Sequence, residues 1–224
     1  MVGDPTTVAR VFNERNADEM IFLDVMATRE NKEPNFKVFE DIAKECFMPL
    51  SIGGGIKTME HADKMFRIGA DKIVLNTPLV ENKNLIKEIV KKYGSQAVIA
   101  SIDAKKTKEG YKAFTRAGTK STEFSPSQLA KIAEDLGVGE IFLNSIDNDG
   151  TTSGYDLDLI REVSSSINIP LIVCGGAGKN SDFLNAIKEG ADAVCAASIF
   201  YYVGESIISS KKFLKDNGID VRVI

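Results

Sequence analysis

The sequence is short of the residues that several enzyme chemistries require. Its 224 residues include three cysteines, one histidine and no tryptophan. His61 falls in a polar helical stretch, so we expect it on the solvent-exposed surface. A lone histidine argues against a Ser-His-Asp triad and against an imidazole-based metal site. Cys46, Cys174 and Cys195 lack the spacing of a zinc site, which predicts free thiols in a reducing cytoplasm and no bound metal. Cys174 and Cys195 lie in apolar, strand-like runs, where small core side chains are expected.

Charge and hydropathy exclude further classes of protein. Lysine and arginine number 28 against 32 acidic residues, and no stretch is strongly basic, so no nucleic-acid partner is predicted. No apolar run approaches the roughly 20 residues of a spanning helix, and residues 1–5 do not resemble a signal peptide, so neither a membrane partner nor export is predicted. No Walker loop or complete Gly-x-Gly-x-x-Gly fingerprint follows a strand, so no cofactor is predicted. These features predict a cytoplasmic globular protein.

Short apolar runs alternate with amphipathic helical stretches along the chain. Near-continuous hydrophobicity is typical of parallel strands that are covered on both faces. The seven predicted strands are Met20–Val25, Met48–Ile52, Lys72–Asn76, Ala97–Ile102, Glu140–Asn144, Ile169–Val173 and Ala193–Ala197. The eight predicted helices span residues 6–16, 36–46, 58–68, 82–93, 126–136, 157–167, 181–189 and 205–216. A hairpin-like insert follows the fourth strand between residues 105 and 120. The pattern predicts one α/β domain over residues 1–224.

The two halves of the chain resemble each other. Gly54-Gly55 falls on Gly175-Gly176 at an offset of 121 residues, and Ile21–Leu23 matches Ile141–Leu143 at an offset of 120. Two repeated half-barrels predict a TIM (β/α)8 barrel. The counterpart of the strand at 97–102 would precede Met1. We therefore expect an N-terminally truncated barrel without its first strand, and with two unpaired edges.

The carboxyl ends of the predicted strands carry the candidate site, since β/α barrels place function there. Two glycine-rich turns, at 53–55 and 175–176, are each followed one unit later by a small polar residue. Glycine lets backbone N–H groups approach an anion, and a helix N-terminus behind the turn favours negative charge. The duplication therefore predicts two facing phosphate cradles and a ligand with a phosphate at each end. Simple tight turns are the alternative interpretation.

Three carboxylates accompany these turns. Asp103 ends the fourth strand at the barrel mouth, where it is placed for general acid or base catalysis, although capping of the next loop is an equal alternative. Asp149 is suited to support a phosphate or a ligand hydroxyl, and an Asx turn is as natural there. Asp24 is a further carboxylate at the mouth, with no role assigned from the sequence.

Ordered motifs from Gly3 to Val223 resemble HisF, the cyclase subunit of imidazole glycerol phosphate synthase. They include Pro49–Ile56, Ile102–Lys105, Asp147–Thr151 and Cys174–Gly178, and Ser153–Asp156 resembles the cyclase rather than its sister isomerase. The resemblance implies a lyase of histidine biosynthesis that needs no cofactor. Such an enzyme takes ammonia from a glutaminase partner and converts PRFAR, a ribulosyl-aminoimidazole bisphosphate, into imidazole glycerol phosphate and AICAR.

The resemblance also implies roles for individual residues. Asp103 would be one of two catalytic aspartates. One substrate phosphate would bind at Gly55, Asn76 and Thr77. The other would bind at Asp149, Gly150, Gly176, Ala197 and Ser198. Ammonia would enter at the opposite face through a charged gate of Glu19, Lys72 and Glu140, and Asp71 would contact the glutaminase. Solvated charges at the barrel bottom are the alternative for these last four residues.

The chain departs from the family pattern in three ways. The strand that carries the second catalytic aspartate is absent from the sequence, Cys174 stands where serine is common, and Asn144 stands where threonine is common. Stretches 27–36 and 45–49 resemble a HisF-like subgroup of surface-polysaccharide (lipopolysaccharide) biosynthesis, in which ammonia serves acetamidino-sugar formation. Two alternatives to the cyclase follow: this paralogue, and a catalytically silent scaffold that binds the glutaminase and conducts ammonia.

Overall fold

A computed structural model describes residues 4–203 and 205–222, in which helices and strands alternate. The first part of the chain forms α1 (Pro5–Glu14), β1 (Met20–Leu23), α2 (Val25–Arg29), α3 (Phe36–Glu45), β2 (Leu50–Gly53), α4 (Met59–Arg67), β3 (Lys72–Leu75), α5 (Pro78–Glu81) and α6 (Lys83–Tyr93). The remainder forms β4 (Val98–Thr107), β5 (Gly110–Thr115), β6 (Lys120–Ser121), α7 (Pro126–Asp135), β7 (Glu140–Ser145), α8 (Leu157–Ser164), β8 (Leu171–Cys174), α9 (Asn180–Lys188), β9 (Ala193–Val194) and α10 (Ile207–Asp216).

The main sheet contains seven parallel strands in the order β1-β2-β3-β4-β7-β8-β9. β4 continues into an antiparallel hairpin with β5 and β6, which confirms the predicted insert. Among the described residues, no strand pairs with the outer edge of β1 or of β9. The prediction of a TIM-type α/β barrel is confirmed, and the sheet is open between these two strands.

The alternation of side chains along the strands creates two apolar layers. In β3, Ile73 and Leu75 belong to the large core between the sheet and the helices. Val74, which lies between them in sequence, belongs instead to a small cluster with Ile99 and Phe142. This inner cluster fills the barrel interior below the carboxyl ends of the strands, as layered side chains do in closed barrels.

Local signals explain where individual helices begin. The hydroxyl of Ser125 accepts a hydrogen bond from the N–H of Gln128, the side-chain oxygen of Gln128 accepts one from the N–H of Ser125, and Pro126 opens α7. The carboxylate of Asp24 accepts hydrogen bonds from the N–H groups of Met26 and Ala27 at 3.1 and 3.0 Å. Asp24, whose role the sequence left open, therefore caps α2.

Equivalent hydrogen bonds relate the two halves of the sheet. The carboxylate of Asp71 accepts a hydrogen bond from the N–H of Leu50 at 2.8 Å. At the matching position 121 residues later, Asp192 accepts one from Leu171 at the same distance. The Gly-Ala-Asp motif that marks the sequence repeat thus fixes the start of the preceding parallel strand in each half.

The register of the strands corrects one detail of the sequence repeat. Phe22 lies opposite Ile52, and Leu143 lies opposite Val173, so β1 and β7 correspond at an offset of 121 residues. The offset of 120 predicted for Ile21–Leu23 is wrong. Alignment by residue type shifted β1 by one position relative to β7, whereas the register is set by hydrogen bonding to the next strand.

Candidate active site at the carboxyl ends of the strands

A cavity of about 780 Å³ opens at the carboxyl ends of the strands. Six residues predicted at the barrel mouth line it together: Asp24, Gly55, Asn76, Thr77, Asp103 and Asp149. Gly150, Gly176, Ala197 and Ser198, which were predicted at the second cradle, are not among its lining residues. The fold therefore brings the first predicted cradle and the candidate acid or base into one space.

Asp103 lies on β4 directly opposite Asn144 of β7. Burial, opposed by a hydrogen bond from Asn144 and reinforced by the charge of Asp149, raises the pKa of Asp103 to about 6. A carboxyl group with this pKa exchanges its proton close to neutral pH. Such a group is suited to act as an acid in one step and as a base in another.

Asn144 is the most direct partner of Asp103. Its Nδ2 donates a hydrogen bond to Oδ1 of Asp103 at 3.4 Å, and its own buried Oδ1 has no partner in the described part of the chain. Rotating the amide by half a turn exchanges these two atoms. The amide oxygen then accepts a hydrogen bond from the protonated carboxyl, so Asn144 is able to serve both protonation states of Asp103.

The first predicted cradle is held by hydrogen bonds to α2, β4 and β5. The N–H of Gly55 donates to Oγ1 of Thr28 at 3.2 Å. The side-chain amide of Asn76 donates to the carbonyl oxygens of Ser101 and Phe114 at 3.0 and 3.1 Å. Both amide hydrogens of Asn76 are therefore engaged in positioning β3 and the hairpin. An anion bound here would depend on the neighbouring backbone and on Thr77.

The glycine turns permit close approach of the preceding loop. A Cβ on Gly54 would collide with the carbonyl oxygen of Asp24, and a Cβ on Gly175 would lie 2.7 Å from that of Ser145. Both glycines also have positive φ values, of 110° and 96°, a backbone conformation that favours glycine even where a Cβ atom would fit. The α4 and α9 helices begin only at Met59 and Asn180, so the expected helix N-terminus does not stand directly behind either turn.

The loop between β7 and α8 packs over Gly176 of the second predicted cradle, whereas Gly150 and Ala197 are exposed. The carbonyl oxygen of Gly176 accepts a hydrogen bond from the N–H of Gly154 at 2.7 Å, and the side chain of Asn148 donates to the carbonyl oxygen of Gly154 at 2.9 Å. The N–H of Asp149 donates to the carbonyl oxygen of Ser145 at 3.0 Å. These bonds place Asp149 at the cavity and pack Gly176 behind the loop.

His61 is partly buried, so its predicted exposure is wrong. Only 13% of the side chain is exposed. Its Nδ1 lies 3.3 Å from the carbonyl oxygen of Gly55, and its ring packs edge-on against Phe36. The sequence shows a polar helix surface here, but the loop and helix that cover it come from another part of the chain.

The opposite face carries a partly buried ion-pair cluster. Nζ of Lys72 lies 3.0 Å from a carboxylate oxygen of Glu19 and 2.7 Å from one of Glu140. Burial alone would lower the pKa of Lys72, but its hydrogen bonds to Glu140 and Glu19 outweigh burial and raise it. Glu140 Oε2 is buried without a partner among the described residues. Asp71, which is predicted to contact the glutaminase, directly precedes Lys72 in the sequence and is exposed to solvent.

Sequence reasoning assigned no role to Asn144, and it missed Arg116 and Glu81, which also line the cavity. Strand alternation carries a signal for Asn144, because residue 144 shares the inner face of β7 with Phe142. Nothing in the sequence marks Arg116, which lies in the turn between β5 and β6.

The described residues form neither a metal-ion site nor a membrane-spanning helix. No group of three or more histidine, cysteine, aspartate or glutamate side chains in residues 4–203 and 205–222 is placed to hold a metal ion. No helix in the same ranges combines the length and apolar character needed to cross a membrane.

The sheet and its cavity define a β/α-barrel protein with a polar site at the carboxyl ends of its strands. A family model described as histidine biosynthesis protein matches residues 1–205. The imidazole glycerol phosphate synthase subunit HisF of Sulfurisphaera tokodaii is 44% identical over 221 residues, which cover 99% of this chain and 88% of that protein. HisF of Dehalococcoides mccartyi is 44% identical over 222 residues, with the same shares covered.

A third relative comes from Pseudomonas aeruginosa and is provisionally named imidazole glycerol phosphate synthase subunit hisF2. It is 44% identical over 206 residues, which cover 91% of this chain and 82% of that protein. The chain belongs to the HisF family.

Proposed function

We propose that this chain is a synthase subunit that uses ammonia to convert PRFAR into imidazole glycerol phosphate and AICAR. The observation that carries the proposal is Asp103, whose pKa is raised to about 6 in a cavity at the barrel mouth. Ammonia must lose protons as it becomes a ring nitrogen, and the departing aminoimidazole must gain one. A carboxyl group poised near neutral pH performs both transfers.

In this proposal the two ends of the substrate occupy the two glycine turns. One phosphate binds at Gly55, Asn76 and Thr77. The other binds beside Gly150, Gly176, Ala197 and Ser198, and Asp149 accepts a hydrogen bond from a substrate hydroxyl. The position of Asp103 on β4, between β3 and β7 in the sheet, supports an arrangement in which the reacting carbons lie over it.

Ammonia reaches this site from a glutaminase that binds the opposite face. The Glu19–Lys72–Glu140 cluster forms the entrance, and Asp71 contacts the partner. Beyond the entrance, the inner apolar cluster of Val74, Ile99 and Phe142 lines the barrel interior. An apolar path suits neutral ammonia and disfavours the ammonium ion, because burying an unpaired charge is costly.

A second candidate is the HisF-like paralogue that directs ammonia to acetamidino-sugar formation. It is favoured by the loop stretches 27–36 and 45–49, which resemble that subgroup. In that case the barrel conducts ammonia from the same face, and the cavity takes a different acceptor or acts as a silent scaffold.

The test is ammonia-dependent release of AICAR from PRFAR, measured by chromatography. We expect Asp103→Asn to lower turnover by roughly 10²- to 10⁴-fold. Asp158→Asn is the matched control, since Asp158 is an exposed carboxylate on α8 outside the cavity. Equal turnover in Asp103→Asn and wild type would refute the catalytic role. No turnover by the wild-type chain, alone or with a HisH-type glutaminase, would favour the second candidate.

A further inference from the structure

The turn between β5 and β6 has an uncommon backbone. Arg116, Ala117 and Gly118 have φ values of 56°, 54° and 74°, so three consecutive residues are left-handed. Arginine and alanine rarely adopt this region, and such conformations concentrate at functional sites. All three residues line the cavity. The turn is anchored at the first cradle, because the N–H of Arg116 donates a hydrogen bond to Oγ1 of Thr77 at 3.3 Å.

This conformation leaves hydrogen-bond donors at the cavity wall. Within the part of the chain that the structure describes, the N–H groups of Ala117 and Gly118 have no acceptor. Thr77 accepts from Arg116 through its oxygen, so its hydroxyl hydrogen is left to donate. A cavity wall with several unsatisfied donors is complementary to an anion with several acceptor oxygens.

The side chain of Arg116 adds a fixed positive charge. Its Nε and Nη2 donate to the two carboxylate oxygens of Glu81 at 3.2 and 3.0 Å, a bidentate geometry that fixes the guanidinium plane. Nη1 is not used in this pair. Nζ of Lys120 also contacts Glu81, at 3.1 Å, so the cluster carries two positive charges and one negative charge. A net positive charge therefore remains beside the donors of the turn.

We infer that the β5–β6 turn binds the phosphate seated at Thr77, and that Arg116 is the residue that selects a phosphoryl group at this end of the substrate. Nη1 of Arg116, the hydroxyl of Thr77 and the N–H groups of Ala117 and Gly118 supply the donors. The inference deepens the proposed function, on which it rests for the identity of the substrate. The anion site itself is measurable without any turnover.

The test is a titration of the full chain with inorganic phosphate, followed by calorimetry and by ³¹P NMR. We expect Arg116→Asn to weaken phosphate binding by about tenfold or more, since it removes a charge-assisted hydrogen bond. Asparagine tolerates positive φ, so this variant keeps the turn. Arg116→Lys keeps the charge and should show an intermediate loss. Lys120→Met is the matched control: it removes the same charge from the same Glu81 cluster, but Lys120 does not line the cavity. We expect its affinity to stay within about twofold of wild type.

The outcomes separate this inference from the proposed function. Equal phosphate affinity in wild type, Arg116→Asn and Lys120→Met, or no phosphate binding by the wild-type chain, would overturn the inference even if PRFAR is converted. Weaker phosphate binding in Arg116→Asn alone supports it even if PRFAR is not converted. Where PRFAR is converted, Arg116→Asn should raise KM more than it lowers kcat.

Discussion

Asp103 links the chemistry of the cavity to the stability of the fold. Its pKa of about 6 in the folded protein lies above the ordinary value of 3.8. Folding therefore favours the protonated form. This contribution to stability is complete below pH 3.8 and is lost as the pH rises through 6.

We therefore expect Asp103→Asn to stabilise the protein at pH 8 by up to about 3 kcal/mol in the free energy of unfolding, and to have little effect below pH 4. Denaturant unfolding at both pH values measures the difference. Asp158→Asn is again the control, because that carboxylate is exposed. A variant that is less stable than wild type at pH 8 would show that the carboxylate form is the one the fold favours.

A second prediction for a single residue concerns the contribution of His61 to the stability of the fold. Its ring fills the space between Phe36 and the carbonyl oxygen of Gly55, so it supports the first cradle from behind. We expect His61→Ala to lower the free energy of unfolding by about 1 to 3 kcal/mol, through lost packing and an unsatisfied carbonyl group. His61→Phe keeps the ring and isolates the hydrogen bond. Unfolding that is unchanged in His61→Ala would mean that the ring is not packed as described.

Among the elements, the repeated Gly-Ala-Asp motif offers a comparison within one molecule. Asp71 and Asp192 make the same 2.8 Å bond to the start of the preceding strand. Asp71→Asn and Asp192→Asn should therefore destabilise the fold to a similar extent, by about 1 kcal/mol. Only Asp71 is proposed to contact the glutaminase, so only Asp71→Asn should weaken binding of a HisH-type subunit in a pull-down titration. Equal weakening by both variants would contradict a specific contact at Asp71.

An element of the fold could be predicted where the local sequence carries its hydrophobic pattern, and was missed where it does not. The seven parallel strands were predicted because strands buried on both faces are apolar throughout, and the hairpin insert between residues 105 and 120 interrupts that pattern. The helices α2 and α5 were not predicted, because five and four residues are too few to show a helical period. Asp103 was placed at the mouth by strand order alone. The cavity-lining turn at Arg116 was missed, since arginine and alanine do not signal a left-handed conformation and the bond to Thr77 joins residues 39 positions apart.

At the scale of the whole molecule, the sheet is open between β1 and β9. Among the residues that the structure describes, no strand pairs with the outer edge of either, and unpaired strand edges are templates for pairing with another chain. Val25 and Met26, which directly follow β1, are 51% and 47% exposed. Apolar exposure next to an open strand edge favours association between copies of the chain.

We expect the chain to be poorly stable or to self-associate through this edge. Sedimentation velocity over a range of concentrations should show oligomers, and Val25→Lys should shift the distribution toward monomer, because a charge beside an edge strand opposes pairing. Phe47→Lys is the control, since Phe47 is 86% exposed and precedes β2, which pairs with the inner edge of β1 and not with its open edge. A monodisperse wild-type monomer with a cooperative thermal transition would contradict association. It would mean that inner residues such as Ile21 and Phe142 pack tightly enough to stabilise an open barrel.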